Sequence, residues 1–224
     1  MNKKKIFIAV DTNSISKAKK IINETQTNKI KVGYKFGLEF FYSKDGRKFL
    51  SNLKNQIIFL DLKLNDIPNT VKSAIRSLKN LKISYLTVHL SSGLSALKTL
   101  KKERRNIKIA GVTTLTSLNN KDLKEIGYNK KVDELVRHQA KLATKAKLDA
   151  IVCSGHEIRS VKKVFRKEII TPGIKMQKAK NDQKRIMGPA DAFGAGSDWL
   201  VIGRSITKGN IKKNIKNLLR ILED

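Results

Sequence analysis

Eight short apolar runs recur along this chain, and longer segments with a helical period lie between most of them. The runs are rich in Val and Ile and nearly continuous in hydrophobicity, which is typical of parallel strands buried on both faces. The predicted strands are Ile6–Asp11, Lys29–Gly33, Ile57–Lys63, Tyr85–Leu90, Ile107–Thr114, Ala150–Ser154, Glu168–Pro172 and Trp199–Gly203. Because βαβ crossovers are right-handed, eight such repeats predict a closed (β/α)8 barrel of the TIM type. An open doubly wound sheet is the competing fold, but no G-x-G-x-x-G motif follows the first strand.

The segment after the first strand has the pattern of an amphipathic helix. Ser14 can cap this helix, and Ile15, Ala18, Ile21 and Ile22 fall on one face. Further helices are predicted over Ile67–Leu81, over Lys131–Lys147 and along the C-terminal segment. No linker, internal repeat or low-complexity tract divides residues 1–224, so we predict one domain of barrel size.

The composition indicates a cytoplasmic protein without a metal cluster. The basic N-terminus precedes an apolar run of only five residues that ends at Asp11, which is too short for a signal peptide. No stretch reaches the length of a membrane span. Cys153 is the only cysteine, so neither an intrachain disulfide nor a cysteine-based metal site is expected.

The net charge of +29 raises the alternative of a nucleic-acid-binding protein. Two features argue against this alternative. Lysines are spread over almost every segment instead of forming one stripe, and aromatic residues are not interleaved with basic runs as a base-stacking surface requires. A positive field would still favour the approach of an anionic substrate.

Charged residues begin where the third predicted strand ends. Asp61 and Lys63 point the same way because side chains alternate along a strand, and Asp66 follows in the turn before Pro68. Such a cluster is costly to bury unless its charges compensate each other or meet a ligand. The plain alternative is a solvated strand end with a salt bridge.

The string D-x-K-x-x-D-I-P-N-T, from Asp61 to Thr70, resembles the orotidine 5'-monophosphate (OMP) decarboxylase family. The resemblance extends in order from Ala9 to Thr207. It implies decarboxylation of OMP to UMP and CO2 in de novo pyrimidine nucleotide biosynthesis, with no cofactor and no metal. It also implies a homodimer.

The resemblance implies a Lys-Asp-Lys-Asp array with Lys63 as the proton donor. Asp61 would lie near the substrate carboxylate, and Lys31, in the family's Lys-Val-Gly segment, would orient Asp61 and the ribose. Lys35 is the alternative to Lys31 and is ranked lower, because it falls in the loop or helix predicted after Gly33. Asp66 is the remaining member of the array, and Ile67 and Thr70 would lie near it in the substrate site. Asp66 and Thr70 would act across the dimer interface.

The remaining substrate contacts implied by the resemblance lie at other strand ends. They are Asp11 at the ribose, Thr116 and Ser117 at the pyrimidine, and Pro172, Lys175, Gln183, Gly203 and Arg204 around the phosphate. Lys175 stands where the family usually has Arg, and Met176 replaces Pro. Because Lys cannot clamp a phosphate bidentately, the role of Lys175 is open.

Two other groups invite a catalytic interpretation. His89 ends the fourth strand and could act as a general base, but we favour a hydrogen-bonded core histidine. Cys153 and His156 could form a nucleophilic pair, but they are three residues apart across a turn and lack an orienting third group.

Another enzyme class shares part of the motif. The sugar-phosphate enzymes 3-keto-L-gulonate 6-phosphate decarboxylase and hexulose-phosphate synthase carry D-x-K-x-x-D, but they use Mg²⁺ and lack the I-P-N-T extension that this chain has. Sensitivity of the activity to a chelator would favour that class.

Overall fold

Eight parallel strands close into a barrel in the computed structural model, which describes residues 3–176 and 187–223. Each strand pairs with the next in the chain, and the last pairs with the first. The strands are β1 (Lys5–Ala9), β2 (Lys31–Gly37), β3 (Ile58–Leu64), β4 (Tyr85–His89), β5 (Lys108–Val112), β6 (Ala150–Val152), β7 (Glu168–Thr171) and β8 (Trp199–Ile202). The predicted (β/α)8 barrel is therefore confirmed.

The second strand differs most from its prediction. It begins two residues later than expected and continues past Gly33 to Gly37. Gly33 does not end the strand. A Cβ at this position would come within 2.7 Å of the Phe7 ring and 3.0 Å of the carbonyl oxygen of Ile57. The glycine therefore makes room for an aromatic side chain inside the barrel, and the strand carries Lys35 beyond it.

Helices surround the barrel on its outer face. They are α1 (Ile15–Glu24), α2 (Leu38–Phe41), α3 (Gly46–Asn52), α4 (Pro68–Ser77), α5 (Gly93–Glu103), α6 (Asn120–Glu125), α7 (Val132–Lys145), α8 (Ile158–Lys162), α9 (Pro189–Ala195), α10 (Arg204–Thr207) and α11 (Ile211–Glu223). Ser14 caps α1 by accepting a hydrogen bond from the backbone N–H of Lys17, as predicted. None of the helices in the described ranges is both long and apolar enough to cross a membrane.

An aromatic cluster fills the interior of the barrel near the end where the strands begin. The rings of Phe7 and Trp199 stack with centroids 4.0 Å apart, and Phe59 and Tyr85 pack against Phe7 at 4.8 and 5.3 Å. All four side chains are at most 3% exposed. The barrel interior is thus a packed core, so a ligand can enter only from the end where the strands finish.

An ionic cluster closes the barrel floor, which is the end of the barrel where the strands begin. The Glu168 carboxylate accepts hydrogen bonds from Lys5 at 3.2 Å, from Lys108 at 2.8 Å and from the Tyr85 hydroxyl at 2.8 Å. Burial raises the pKa of Glu168, but these hydrogen bonds and the nearby charges outweigh burial and hold that pKa below its ordinary value of 4.5. The carboxylate therefore stabilises the fold in its ionised form.

Replacing Glu168 by Gln is expected to lower the free energy of unfolding at pH 7 by about 2 kcal/mol, because charge-assisted hydrogen bonds are lost. A group whose pKa is lower in the folded state contributes its stability above the ordinary pKa and loses it as the pH falls through the folded value. The difference between wild type and Glu168→Gln should therefore shrink between about pH 5 and pH 3. Urea unfolding across this range measures it.

Glu125→Gln is the matched control for this prediction. Glu125 forms an exposed ion pair with Lys121 at 3.8 Å, so its loss should change the unfolding free energy by less than about 0.5 kcal/mol. A Glu168→Gln protein as stable as this control at neutral pH would contradict a stabilising role for the barrel-floor cluster.

Candidate active site

The charges predicted at the end of the third strand meet inside the barrel mouth. The ammonium nitrogen of Lys63 lies 2.8 Å from Oδ2 of Asp61. The side chain of Asp61 is only 13% exposed, so this is an ion pair in a partly buried site. The plain alternative of a solvated strand end is therefore wrong for Asp61, whose charge is held in place by neighbouring groups.

The structure corrects the choice of the second lysine. Lys31 is exposed at the start of β2, where it pairs in register with Lys5 at the start of β1. It therefore lies at the barrel floor, about 13 Å of strand away from Lys35. Lys35 lies inside β2, with its ammonium 3.1 Å from Oδ1 of Asp11 and 3.7 Å from Oδ2 of Asp61. Lys35, and not Lys31, completes the array.

The cause of the error is the length of the second strand. Lys31 and Lys35 are both odd-numbered and face the same way along β2. Ending the strand at Gly33 left Lys31 as the inward lysine nearest the mouth. The extension of β2 to Gly37 brings Lys35 to that place and leaves its side chain only 14% exposed.

Thr87 on β4 is a site residue that the sequence reasoning missed. Its hydroxyl accepts a hydrogen bond from the backbone N–H of Lys63 at 2.7 Å and donates one to Oδ1 of Asp61 at 3.0 Å. The signal that could have found it is the alternation along β4, because Tyr85, Thr87 and His89 share the inward face. Thr87 is 0% exposed.

The array lines a cavity of about 260 Å³ at the barrel mouth. Its walls are Lys35, Phe59, Asp61, Lys63, Val112, Thr114, Leu115, Thr116, Val152, Cys153, Pro172 and Val201. One side is thus charged and the other is apolar with a few hydroxyls, which suits a flat polar ring with an anionic substituent. Thr116 and Pro172 line this cavity, whereas Ser117 is exposed and does not line it.

Asp66, Ile67 and Thr70 do not join Asp61 and Lys63 within this chain. Asp66 is exposed, and its Oδ1 accepts a hydrogen bond from the backbone N–H of Ile67 at 2.7 Å. Ile67 is 66% exposed, and Thr70 is exposed on the first turn of α4. The intrachain array is therefore Asp11, Lys35, Asp61 and Lys63, with the predicted fourth member on the surface beside it.

Of the predicted phosphate residues, Pro172 and Lys175 follow β7, and Gly203 and Arg204 follow β8. Gly203 follows β8, and a Cβ there would lie 3.4 Å from the Cβ of Ala9 and 3.6 Å from Oδ2 of Asp11, so Gly203 lies beside Asp11 at the mouth. Arg204 is exposed at the start of α10. Lys175 lines a separate cavity of about 550 Å³ with Ser205 and Arg220. Gln183 lies outside the described residues.

The two other candidate groups do not have the properties of a reactive base or nucleophile. Burial lowers the pKa of His89, and the nearby Lys63 lowers it further against the opposing effect of Asp61, so the imidazole is neutral at pH 7. Within residues 3–176 and 187–223 the imidazole has no hydrogen bond, which differs from the hydrogen-bonded histidine that we expected. Cys153 is 1% exposed, and burial raises the pKa of its thiol, so it is not a thiolate.

Known proteins match this chain over nearly its whole length. The sequence model of the orotidine 5'-phosphate decarboxylase / HUMPS family matches residues 4–215. An orotidine 5'-phosphate decarboxylase of Wolbachia pipientis subsp. Culex pipiens (strain wPip) is 40% identical, in a match that covers 98% of this chain and 99% of that protein. One from Coxiella burnetii (strain RSA 331 / Henzerling II) is 37% identical, covering 91% and 90%.

A solved structure shares the fold as well. The crystal structure of orotidine 5'-phosphate decarboxylase from Lactobacillus acidophilus superposes with a TM-score of 0.82 at 27% identity, covering 99% of this chain and 100% of that one. The matched residues include every strand of the barrel and the four charged residues at its mouth. The chain therefore belongs to the orotidine 5'-phosphate decarboxylase / HUMPS family.

Proposed function

We propose that this chain decarboxylates OMP to UMP and CO2 without a cofactor, as a step of pyrimidine nucleotide synthesis. The observation that carries the proposal is the alternation of charge across the barrel mouth, in the order Asp11, Lys35, Asp61 and Lys63. The two carboxylates and two ammonium groups together carry no formal net charge. Proteins 40% and 37% identical over nearly this whole length carry the decarboxylase name.

The reaction requires a site that stabilises a carbanion. When the bond between the pyrimidine ring and the carboxylate breaks, CO2 leaves and the electron pair stays on the ring carbon. Lys63 is the donor that can stabilise this charge and then protonate the carbon, which leaves a neutral amine that water reprotonates. Because the ammonium is already oriented by Asp61 at 2.8 Å, little reorganisation is needed as the charge develops.

Asp61 favours the departure of CO2 by repelling the substrate carboxylate. Its position beside Lys63 would bring it close to the substrate carboxylate, and the repulsion between the two anions is relieved when CO2 leaves. Thr87 and Lys35 hold the Asp61 carboxylate from two directions. Asp61 therefore cannot rotate away from the substrate without breaking a hydrogen bond and an ion pair.

The phosphate would bind at the end of the barrel formed by Gly203 and Arg204. Exposed backbone N–H groups after a strand and an arginine fork are suited to a phosphate dianion. Pro172 at the cavity wall, together with Lys175 and Gln183, would complete this end. Binding energy gained at the distant phosphate can then be used to assemble the reacting end.

We further propose that the active form is a homodimer in which Asp66 and Thr70 reach the neighbour's site. The support is their exposure beside the mouth, together with Ile67, which leaves a large apolar side chain 66% exposed at the same place. In a two-fold dimer each patch contacts its equivalent, so both sites gain the same residues.

Mixing two inactive variants tests the dimer. Lys63→Ala and Asp66→Ala should each be nearly inactive, but a hybrid dimer contains one site that carries both changes and one that carries neither. Random reassociation should therefore restore about one quarter of the wild-type activity. Mixing Lys63→Ala with the Lys63→Ala/Asp66→Ala double variant is the control and should restore none. No recovery in the first mixture, with subunit exchange verified, would assign Asp66 to its own chain's site or to none.

The activity itself is tested by following OMP absorbance with purified protein in the presence of EDTA. We expect turnover that the chelator does not affect. If a folded protein leaves OMP unchanged, the next substrates are hexulose phosphate and 3-keto-gulonate phosphate with Mg²⁺, because the matched family also includes that class. Salt-sensitive binding of nucleic acid without any turnover would instead support the basic-protein alternative.

A further inference from the structure

Thr87 makes two hydrogen bonds to the neighbouring strand, and both end at the reacting array. It lies on β4 with 0% exposure. Its oxygen accepts the backbone N–H of Lys63 at 2.7 Å, and its proton goes to Oδ1 of Asp61 at 3.0 Å. A hydroxyl has one proton to donate. The geometry therefore commits that proton to the carboxylate that also pairs with Lys63 and Lys35.

The backbone at Lys63 needs such support. Lys63 has a φ of +49°, in the left-handed region, where the Cβ of a side chain crowds the following carbonyl oxygen. At the same place the register between β3 and β4 shifts between Leu60 and Leu64. The regular ladder is interrupted there, and a backbone N–H inside a barrel needs an acceptor. The Thr87 hydroxyl supplies it.

The two hydrogen bonds together couple the direction of the Lys63 backbone to the orientation of the Asp61 carboxylate. Lys63 has this left-handed backbone, and its ammonium pairs with Asp61 at 2.8 Å. One buried hydroxyl thus fixes both charged groups. Such coupling is what a preorganised electrostatic site requires, because a small displacement of either group weakens its effect on the reacting carbon.

We infer that Thr87 is a positioning residue for the decarboxylation: its hydroxyl holds the Lys63 backbone and the Asp61 carboxylate in their reactive arrangement. This inference rests on the proposed function. The competing interpretation is that Thr87 only fills space between β3 and β4. Valine has the same shape without the hydroxyl, so the two interpretations predict different results for Thr87→Val.

The experiment compares Thr87→Val with Thr87→Ser, which keeps the hydroxyl and loses only a methyl group. With OMP and EDTA, we expect Thr87→Val to lower kcat about 10²-fold, with KM changed less than about threefold. Thr87→Ser should stay within about fivefold of wild type in kcat. Equal impairment of the two variants, or a kcat of Thr87→Val within about threefold of wild type, would overturn the inference.

Thr25→Val is the matched control. Thr25 is also 0% exposed, and its hydroxyl donates to the carbonyl of Ile21 at 2.7 Å and contacts the Tyr34 hydroxyl at 3.1 Å, away from the array. Its loss should destabilise the fold and leave kcat unchanged. If Thr87→Val does not fold, Thr87→Ala replaces it. A loss of kcat in Thr87→Ala, with Thr87→Ser still active, would then support the positioning role of the hydroxyl.

A second measurement separates this inference from the proposed function. Without an acceptor, the Lys63 amide of Thr87→Val should exchange its hydrogen at least about tenfold faster than in wild type, while Thr87→Ser retains protection. This comparison does not depend on turnover. A wild-type protein that leaves OMP unchanged rejects the proposed function, whereas unchanged Lys63 exchange in Thr87→Val rejects the role of Thr87.

Discussion

Lys63→Ala is expected to lower kcat for OMP at least about 10⁴-fold. A positioned general acid contributes about 10² to 10⁴, and loss of a preorganised charge in a partly buried site costs a further factor of about 10² to 10³. Both contributions are assigned to the same ammonium group, so the variant loses them together. Steady-state absorbance measurements on the purified variant test the expected loss.

The variant should remain folded, so the loss can be assigned to chemistry. Asp61 keeps its hydrogen bond from Thr87 and its pairing with Lys35 at 3.7 Å. Alanine also retains a Cβ, so the strain of the left-handed backbone at position 63 is unchanged. Lys63→Gly is less suitable because glycine would relieve that strain and alter the backbone as well as the charge. Circular dichroism and binding of UMP check that the site survives.

Lys63→Arg separates the two contributions of the ammonium group. Arginine keeps the positive charge but does not release a proton at neutral pH, and it is larger. We expect it to remain nearly inactive, because protonation of the carbon is lost.

A Lys63→Ala protein that retains more than about one hundredth of the wild-type kcat would contradict the role of Lys63 as the proton donor.

Most of the fold could be predicted from the sequence because burial on both faces leaves a direct pattern. Parallel barrel strands such as Ile58–Leu64 must be apolar both on the face toward the barrel interior and on the face toward the surrounding helices. Only their last residues are free to be charged. Asp61 and Lys63 therefore stood out. The capping of α1 by Ser14 was predictable for a similar reason, since its signal is local.

The errors in the site come from information that no single segment contains. Gly33 looked like the end of a strand, but it is small because Phe7 from another strand occupies the space beside it. The alternation along β4 indicates only that Thr87 faces inward, and its hydrogen bonds to β3 depend on the shifted register between β3 and β4. Both residues are explained by groups on a neighbouring strand, which the local sequence pattern does not describe.

The choice between Lys35 and Lys31 gives the second large prediction. Lys35→Ala is expected to lower kcat/KM for OMP about 10² to 10³-fold, because the partly buried Asp61 carboxylate and the exposed Asp11 carboxylate lose the cation between them. The charge at the mouth then changes from zero to −1, which disfavours a substrate that carries both a phosphate and a carboxylate. Lys31→Ala removes the same charge from the chain and keeps the mouth intact, so its kcat/KM should stay within about threefold of wild type.

This pair of variants compares two lysines that face the same way on one strand, one at the barrel mouth and one at the end where the strand begins. The overall loss of positive charge is identical, so any effect of net charge on the approach of an anionic substrate appears equally in both. The difference between them therefore measures what Lys35 contributes through Asp11 and Asp61. If Lys31→Ala were the impaired variant and Lys35→Ala the active one, the assignment of Lys31 from the Lys-Val-Gly segment would be right and the register of β2 against β1 and β3 would have to be revised.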